Sequence, residues 1–230
     1  PDSLKNESHL NPPSPSHCYL LSEWKSNTDK PSYEKAFNSI QNYIHAGDCY
    51  QVNFAQRFSA QYEGSPFQAY QHLSQSNRAP FSAYLNFEDH QILSLSPERF
   101  IKSTQGKVIT QPIKGTRPRH SDPVVDRSLA NELNNSDKDK TENLMIVDLL
   151  RNDLSRTADK GSVKVSELYQ HYQFESVHHL ISTIESKLAP QFDNFDLLKT
   201  TLPGGSITGA PKIRAMEIIE ELETVSRNLY

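Results

Sequence analysis

The stretch TQPIKGTRPR, Thr110 to Arg119, sets one amine, Lys114, between Ile113 and Gly115 in a run flanked by prolines. An amine in apolar surroundings loses proton affinity, which is how a lysine becomes a nucleophile near neutral pH. A carboxyl group lies upstream, Glu98 in SLSPERF. If RFIKS and KVITQP pair as a hairpin turning at Thr104 to Gly106, Glu98 falls opposite residues 111 to 112, with Lys114 one diagonal step further. That register would hold a general acid or base within reach of the amine. A slip of one residue would put the two on opposite faces and leave a strand-end salt bridge as the alternative.

Three further groups have chemistry in their types and spacing. PGGSITGAPK places glycines and hydroxyls just before Pro211, a favoured first helical residue, with Ile213, Met216 and Ile219 following at helical spacing. Backbone amides at such a start suit a carboxylate or phosphate, although Ala210 after Gly209 rules out a Walker loop and an ordinary tight turn is the plainer reading. In DKTENLMIVDLLRND, Asp139 and Glu142 stand at i and i+3, so both carboxylates leave one helical face. Oxygen ligands of this kind suit Mg²⁺, and a solvated acidic first turn is the alternative. His178 and His179 in SVHHLIST alternate sides of a strand, so one of them at most faces any given site, and metal-ligand spacing is absent.

These groups need elements to carry them. A helix is expected over about 32 to 45, with Ser32 as its cap, Phe37, Ile40 and Ile44 on one stripe, and Gly47 and Asp48 ending it. CYQVNFAQRFSAQ alternates as a strand, with Tyr50, Val52 and Phe54 on one face and a polar row, Gln51 and Asn53, on the other. A short helix near 65 to 75 should lead into an antiparallel meander from Pro80 to Gly115. Beyond it come a helix in DKTENLMIVDLLRNDLSR, a strand in GSVKVSELYQHYQF and a helix from about 193. Helices and strands without regular alternation argue for an α+β fold. Residues 1–31, with NPPSPS and SNTDKPS, read as a polar, proline-rich linker, and residues 32–230 as one catalytic domain.

Composition bounds the partners. The 230 residues are 35% hydrophobic and 23% charged, with a net charge of −4 and both signs interspersed, so nothing marks a nucleic-acid or membrane partner and a small molecule is the better expectation. Cys18 and Cys49 lie far apart, without zinc-site or disulfide spacing. No apolar run approaches the roughly 18 residues that span a bilayer, and PDSLKNESHL lacks the pattern of a signal peptide. The expectation is a cytoplasmic protein with reduced thiols.

In order, GDCYQVNFAQRF, LSLSPERF, QPIKGTRPR, ENLMIVDLLRNDLSR, GSVKV, VHHLIST and PGGSITGAPKIRAMEIIEELE resemble the chorismate-utilising enzymes, over about residues 33 to 230. The resemblance implies a chorismate-binding fold of mainly antiparallel sheets flanked by helices. In the isochorismate and salicylate branch a water-activating lysine stands where this chain has Gln51, and in the anthranilate branch an alanine stands where it has Lys114. A lysine there marks the aminodeoxychorismate branch. By resemblance, then, Lys114 attacks C2 of chorismate and expels the C4 hydroxyl, ammonia from a glutamine amidotransferase subunit adds at C4, and 4-amino-4-deoxychorismate leaves, on the route to 4-aminobenzoate and folate.

The same resemblance makes Glu98 the general acid and base, and Glu142, with Asp139, a ligand of Mg²⁺ that binds the substrate carboxylate. It implies that Gln51, His179, Gly205, Ser206 and Thr208 contact substrate. Family members continue past ELETVSRNLY with strands and a helix that bring a carboxylate-binding arginine and further Mg²⁺ glutamates. A partial catalytic domain is therefore expected, which could be inactive by itself. The alternatives are an anthranilate-type aminating enzyme and a non-catalytic module for chorismate or subunit binding.

Overall fold

The structure is a computed structural model and describes residues 22–227. The expected linker over 1–31 therefore falls, for residues 1–21, outside the described residues, as does Cys18. In chain order the elements are β1 (Lys25–Ser26), α1 (Lys30–Ala46), β2 (Gln51–Val52), β3 (Phe58–Ser59), α2 (Pro66–Ser76), β4 (Phe81–Asn86) and β5 (Gln91–Ser96). They continue with β6 (Arg99–Thr104), β7 (Lys107–Gln111), β8 (Ile113–Pro118), α3 (Pro123–Asn134), α4 (Asp137–Ser155), β9 (Lys164–Gln173) and β10 (Val177–Lys187). Last come α5 (Asn194–Thr201), α6 (Gly205–Thr208), β11 (Gly209–Ala210) and α7 (Lys212–Leu222). The described residues up to Lys25 form one unit with Phe58–Leu95, and Ser26–Arg57 form a second with those from Ser96 onward.

The helices start where side chains can satisfy free backbone N–H groups. Asp29, not Ser32, caps α1, its carboxylate accepting from the Ser32 N–H at 2.9 Å. Gly47 ends that helix at φ 82°, a left-handed conformation that glycine adopts without a Cβ clash. Asp122 caps α3 through the Val124 N–H and Ser136 caps α4 through the Asp139 N–H. Asp193 and Asp196 exchange the two bonds of a capping box at α5.

The principal sheet has five strands, and β10 is its organiser. One edge of β10 pairs along its length with β9. The other pairs with β7 at its C-terminal half, Ile184 facing Thr110, and with β8 at its N-terminal half, His179 facing Thr116. β7 and β8 are thus one line along β10 interrupted at Pro112, whose carbonyl still accepts from the Ser182 N–H. A proline has no N–H to give the ladder, so the strand breaks there without turning back. β6 and β7 form the expected hairpin, with Gln105 at φ 50° and Gly106 at φ 78° in its turn.

The expected single meander is corrected on two counts: β4 and β5 pair in a separate two-stranded sheet, and β8 extends β7. The strand expected over Cys49–Gln61 is also shorter, holding only β2 and β3. β2 pairs with β11 instead of continuing alone.

Two apolar clusters close the second unit. Val108, Ile146, Val147, Leu150, Leu154, Ile184 and Leu197 join the sheet to α4 and α5. Ile40, Cys49 and Ile218 join α1 to α7. Burying side chains of this size contributes about 1.5–3 kcal/mol each. On α7 the buried residues are Ala215, Ile218 and Ile219, while Ile213 and Met216 face outward, so the expected stripe is rotated around the helix. The result is an α+β fold. No described helix is long and apolar enough to cross a membrane.

Candidate active site

Lys114 lies on β8 and is half-buried. Glu98 lies in the turn between β5 and β6, where the Ser96 hydroxyl donates to its carbonyl at 3.3 Å and accepts from its N–H at 3.4 Å. The hairpin register, Arg99 opposite Gln111, brings Glu98 to the start of β8 as the spacing argument requires. Its carboxyl meets the Ile113 N–H, the Lys114 charge and the Ser206 hydroxyl. Burial pushes the Glu98 carboxyl up from the ordinary carboxylate range, and those three partners oppose the rise. A carboxyl group held this way keeps its proton closer to neutral pH, which suits a general acid.

Gly115, the residue after Lys114, has φ 86°. A Cβ there would stand 2.8 Å from Leu133 Cδ1 and 3.0 Å from Asp139 Cβ, so only glycine lets α3 and α4 lie this close to β8. Thr116 shares a 2.9 Å hydrogen bond between its hydroxyl and His179 Nδ1. Burial pulls the His179 imidazole down, and a hydrogen bond with the Gly115 backbone works against that. The register of β10 shifts between His179 and Ile181, beside Lys114 and Gly115. Such bulges re-aim side chains.

His178, as expected, points the other way. Buried at 1% exposure, it lies between His171 Nε2 and Asp126 Oδ1, each at 3.0 Å.

The PGGSITG segment enters from α6. Ser206 reaches Glu98, and its carbonyl accepts from Asn53 Nδ2 at 2.6 Å. Asn53 Oδ1 in turn accepts from Gln51 Nε2 at 3.0 Å, so the polar row seen in the sequence is assembled against this loop. Gln51 Oε1 is buried and has no partner among the described residues. A Cβ on Gly205 would lie 2.0 Å from Leu149 Cδ2, and one on Gly209 would lie 2.1 Å from the Gln51 carbonyl oxygen. Thr208 is buried, and its hydroxyl donates to the Gly204 carbonyl at 3.1 Å, so it braces the loop.

The acidic pair of α4 is divided. Asp139 accepts from Arg117 Nη2 at 3.3 Å beside Gly115, while Glu142 is half-exposed, 3.9 Å from Lys138. Among the described residues no group of three His, Cys, Asp or Glu could enclose a metal ion. The two carboxylates stand one turn apart on one helix, each beside a cation, Arg117 at Asp139 and Lys138 at Glu142.

Lys114, Glu98, Ser206 and, through Asn53, Gln51 therefore form one connected set, and His179 adjoins it across Thr116. Sequence reasoning missed the partners that position them: Asn53 as the bridge, Arg117 on Asp139, and the buried pair Asp153 and Lys212. Only Asn53 carried a signal, its alternation with Gln51.

This α+β frame, with its lysine on β8 and its carboxyl in the turn before β6, has a family. A family model described as chorismate binding enzyme matches residues 2–230, and the chain belongs to that family. Within it, the chain is 56% identical over 211 residues to aminodeoxychorismate synthase component 1 of Salmonella typhimurium, covering 92% of this chain and 46% of that protein. It is 38% identical over 207 residues to anthranilate synthase component 1 of Aquifex aeolicus, covering 90% and 42% respectively. The crystal structure of anthranilate synthase component I from Streptococcus pneumoniae TIGR4 superposes with a TM-score of 0.82 at 36% identity, covering 90% of this chain and 46% of that one. The chain thus spans about half the length of the relatives it matches.

Proposed function

We propose that the protein aminates chorismate to 4-amino-4-deoxychorismate, with Lys114 as nucleophile and Glu98 as proton carrier. The observation that supports this most is the meeting of Lys114, Ser206 and the half-buried carboxyl of Glu98, in a chain 56% identical to an aminodeoxychorismate synthase component 1. In the first step the neutral Lys114 amine forms a C–N bond at C2 of chorismate, both conjugated ring double bonds shift by one position, from C1=C2 and C5=C6 to C6=C1 and C4=C5, and the C4–O bond breaks. Glu98 gives its proton to the departing oxygen, which leaves as water.

In the second step ammonia bonds to C4, both double bonds shift back and the C–N bond to Lys114 breaks, returning a neutral amine. Glu98 recovers a proton from the new C4 ammonium. Splitting the displacement in two is the usual benefit of a covalent intermediate. By the family resemblance Gln51, Gly205, Ser206 and His179 would face substrate, and Thr208, the remaining residue of that set, is buried and braces the loop that carries Ser206. Asp139 and Glu142 would hold Mg²⁺, whose charge would neutralise a substrate carboxylate. The designation of its relatives as component 1 supports a second component, and the proposed reaction gives that component the role of a glutamine amidotransferase supplying ammonia.

The test is intact-protein mass spectrometry after incubation with chorismate and Mg²⁺ without ammonia. A mass increase that disappears in Lys114→Ala is the expected result. Product formation from ammonia with no adduct under any condition would favour direct amine attack and reduce Lys114 to an electrostatic role.

A further inference from the structure

We propose that the buried ion pair of Asp153 and Lys212 is a positioning clasp that holds the loop Leu202–Pro211, and with it the Ser206 hydroxyl, against Glu98. The ammonium of Lys212 lies 2.5 Å from Asp153 Oδ2 and donates to the Thr201 carbonyl at 3.1 Å. The side chains are 15% and 5% exposed. Thr201 is the last residue of α5 and Lys212 the first of α7, so this bond closes the loop on itself at its base. Asp153 fixes that base to α4. A buried pair of charges loses most of its Coulombic gain to desolvation and is weak evidence for stability, so its placement calls for a geometric reason.

The loop supplies that reason. Its interior is stiff: Thr208 donates to the Gly204 carbonyl, and Arg227 donates to the Ile207 carbonyl at 2.8 Å. It is also pressed between two elements, with the Cβ positions of Gly204 and Gly205 falling 3.2 Å from the Phe100 ring and 2.0 Å from Leu149. A stiff loop held at its base moves as a unit, so displacing the base displaces Ser206. Glu98 would then lose one of the three partners that oppose the upward push of burial on its carboxyl. Arg156, three residues after Asp153, is the other cation felt there.

This inference rests on the reading of Glu98 as the proton carrier, and its test has an arm that does not. In the complete natural protein, Lys212→Met and Asp153→Asn are compared with Lys212→Met/Asp153→Leu, which removes both charges together. The single variants lose thermal stability because each leaves a buried charge unpaired, and the double variant recovers most of it. The clasp predicts that kcat of the double variant nevertheless stays roughly 10- to 100-fold low, with KM for chorismate moving much less, as expected when a proton donor is misplaced by a fraction of an ångström.

Carbon-detected NMR titration of the Glu98 carboxyl, without substrate, reads the clasp independently of turnover. Its pKa should rise in the double variant and in Ser206→Ala, and the two changes should not add. Recovery of kcat together with stability, or a Glu98 titration unmoved by loss of the clasp, overturns the proposal. A wild-type protein that does not aminate chorismate sinks the functional reading and leaves the titration result to judge the clasp.

Discussion

The two units of the chain are built to different tolerances. Every fully buried hydrophobic side chain among the described residues belongs to the unit of Ser26–Arg57 and the residues from Ser96 onward, while α2, β4 and β5 contribute none. The first unit is held largely by aromatic faces, Tyr84 standing 5.2 Å from Phe67 edge-on and 5.7 Å from Tyr70. The second has Gly115, Gly205 and Gly209 at points where an added Cβ would meet neighbours at 3 Å or less. Close approach of this kind places a lysine, a carboxyl group and a hydroxyl together, which ring contacts on a half-exposed helix could not do. Chemistry therefore collects where the packing is tight.

The comparison breaks first, if it breaks, at Lys114. Lys114→Ala should lower kcat for amination roughly 10³-fold or more while leaving the circular dichroism spectrum unchanged. Activity within tenfold of wild type would move the chemistry elsewhere.

Next in size is the core of the second unit. Ile184 is fully buried between the sheet and α4, and Ile184→Ala should cost about 2–5 kcal/mol in denaturant unfolding. Tyr84→Ala in the first unit removes two ring contacts from a half-exposed position and should cost about 0.5–1.5 kcal/mol. Equal losses would show that the units share one tolerance.

The smallest effect appears only in acid. Hydrogen bonds from Arg119, then from the His120 N–H, hold the Asp126 carboxyl well below the usual range. Its folded pKa lies under its unfolded one, so the stability it contributes is present above about pH 4 and drains away as pH falls toward the folded value. Asp126→Asn should therefore flatten the decline of the melting temperature below pH 4 and leave its slope near neutrality unchanged.

How far these features could be read without coordinates depends on the range of the forces behind them. α4 and α5 were legible because capping and 3.6-residue periodicity act within a few residues, and the turn at Gln105 and Gly106 because positive φ is a local demand. The miss at α1 was of the same local kind, Asp29 outcompeting Ser32 as the cap by standing where the helix begins. The expected meander ran straight through Pro112, and whether β8 turns back or runs on was decided by β10, some seventy residues away in sequence. Ile213 and Met216 fit a helical stripe, but which side of α7 is buried was settled by α1 and Cys49.

Readable from the chain alone were α1, α2, α4, α5 and α7, the β6–β7 turn, a hairpin register in which Glu98 and Lys114 share a face, and the family, because each rests on local pattern or on ordered motifs; α3 was not among them. Tertiary structure alone decided that Ser206 reaches Glu98, that Asn53 joins Gln51 to the loop, and that Asp153 receives Lys212. Those contacts form between segments far apart in the chain, and nothing in the residues near either partner names the other until the sheet and α4 have brought them together.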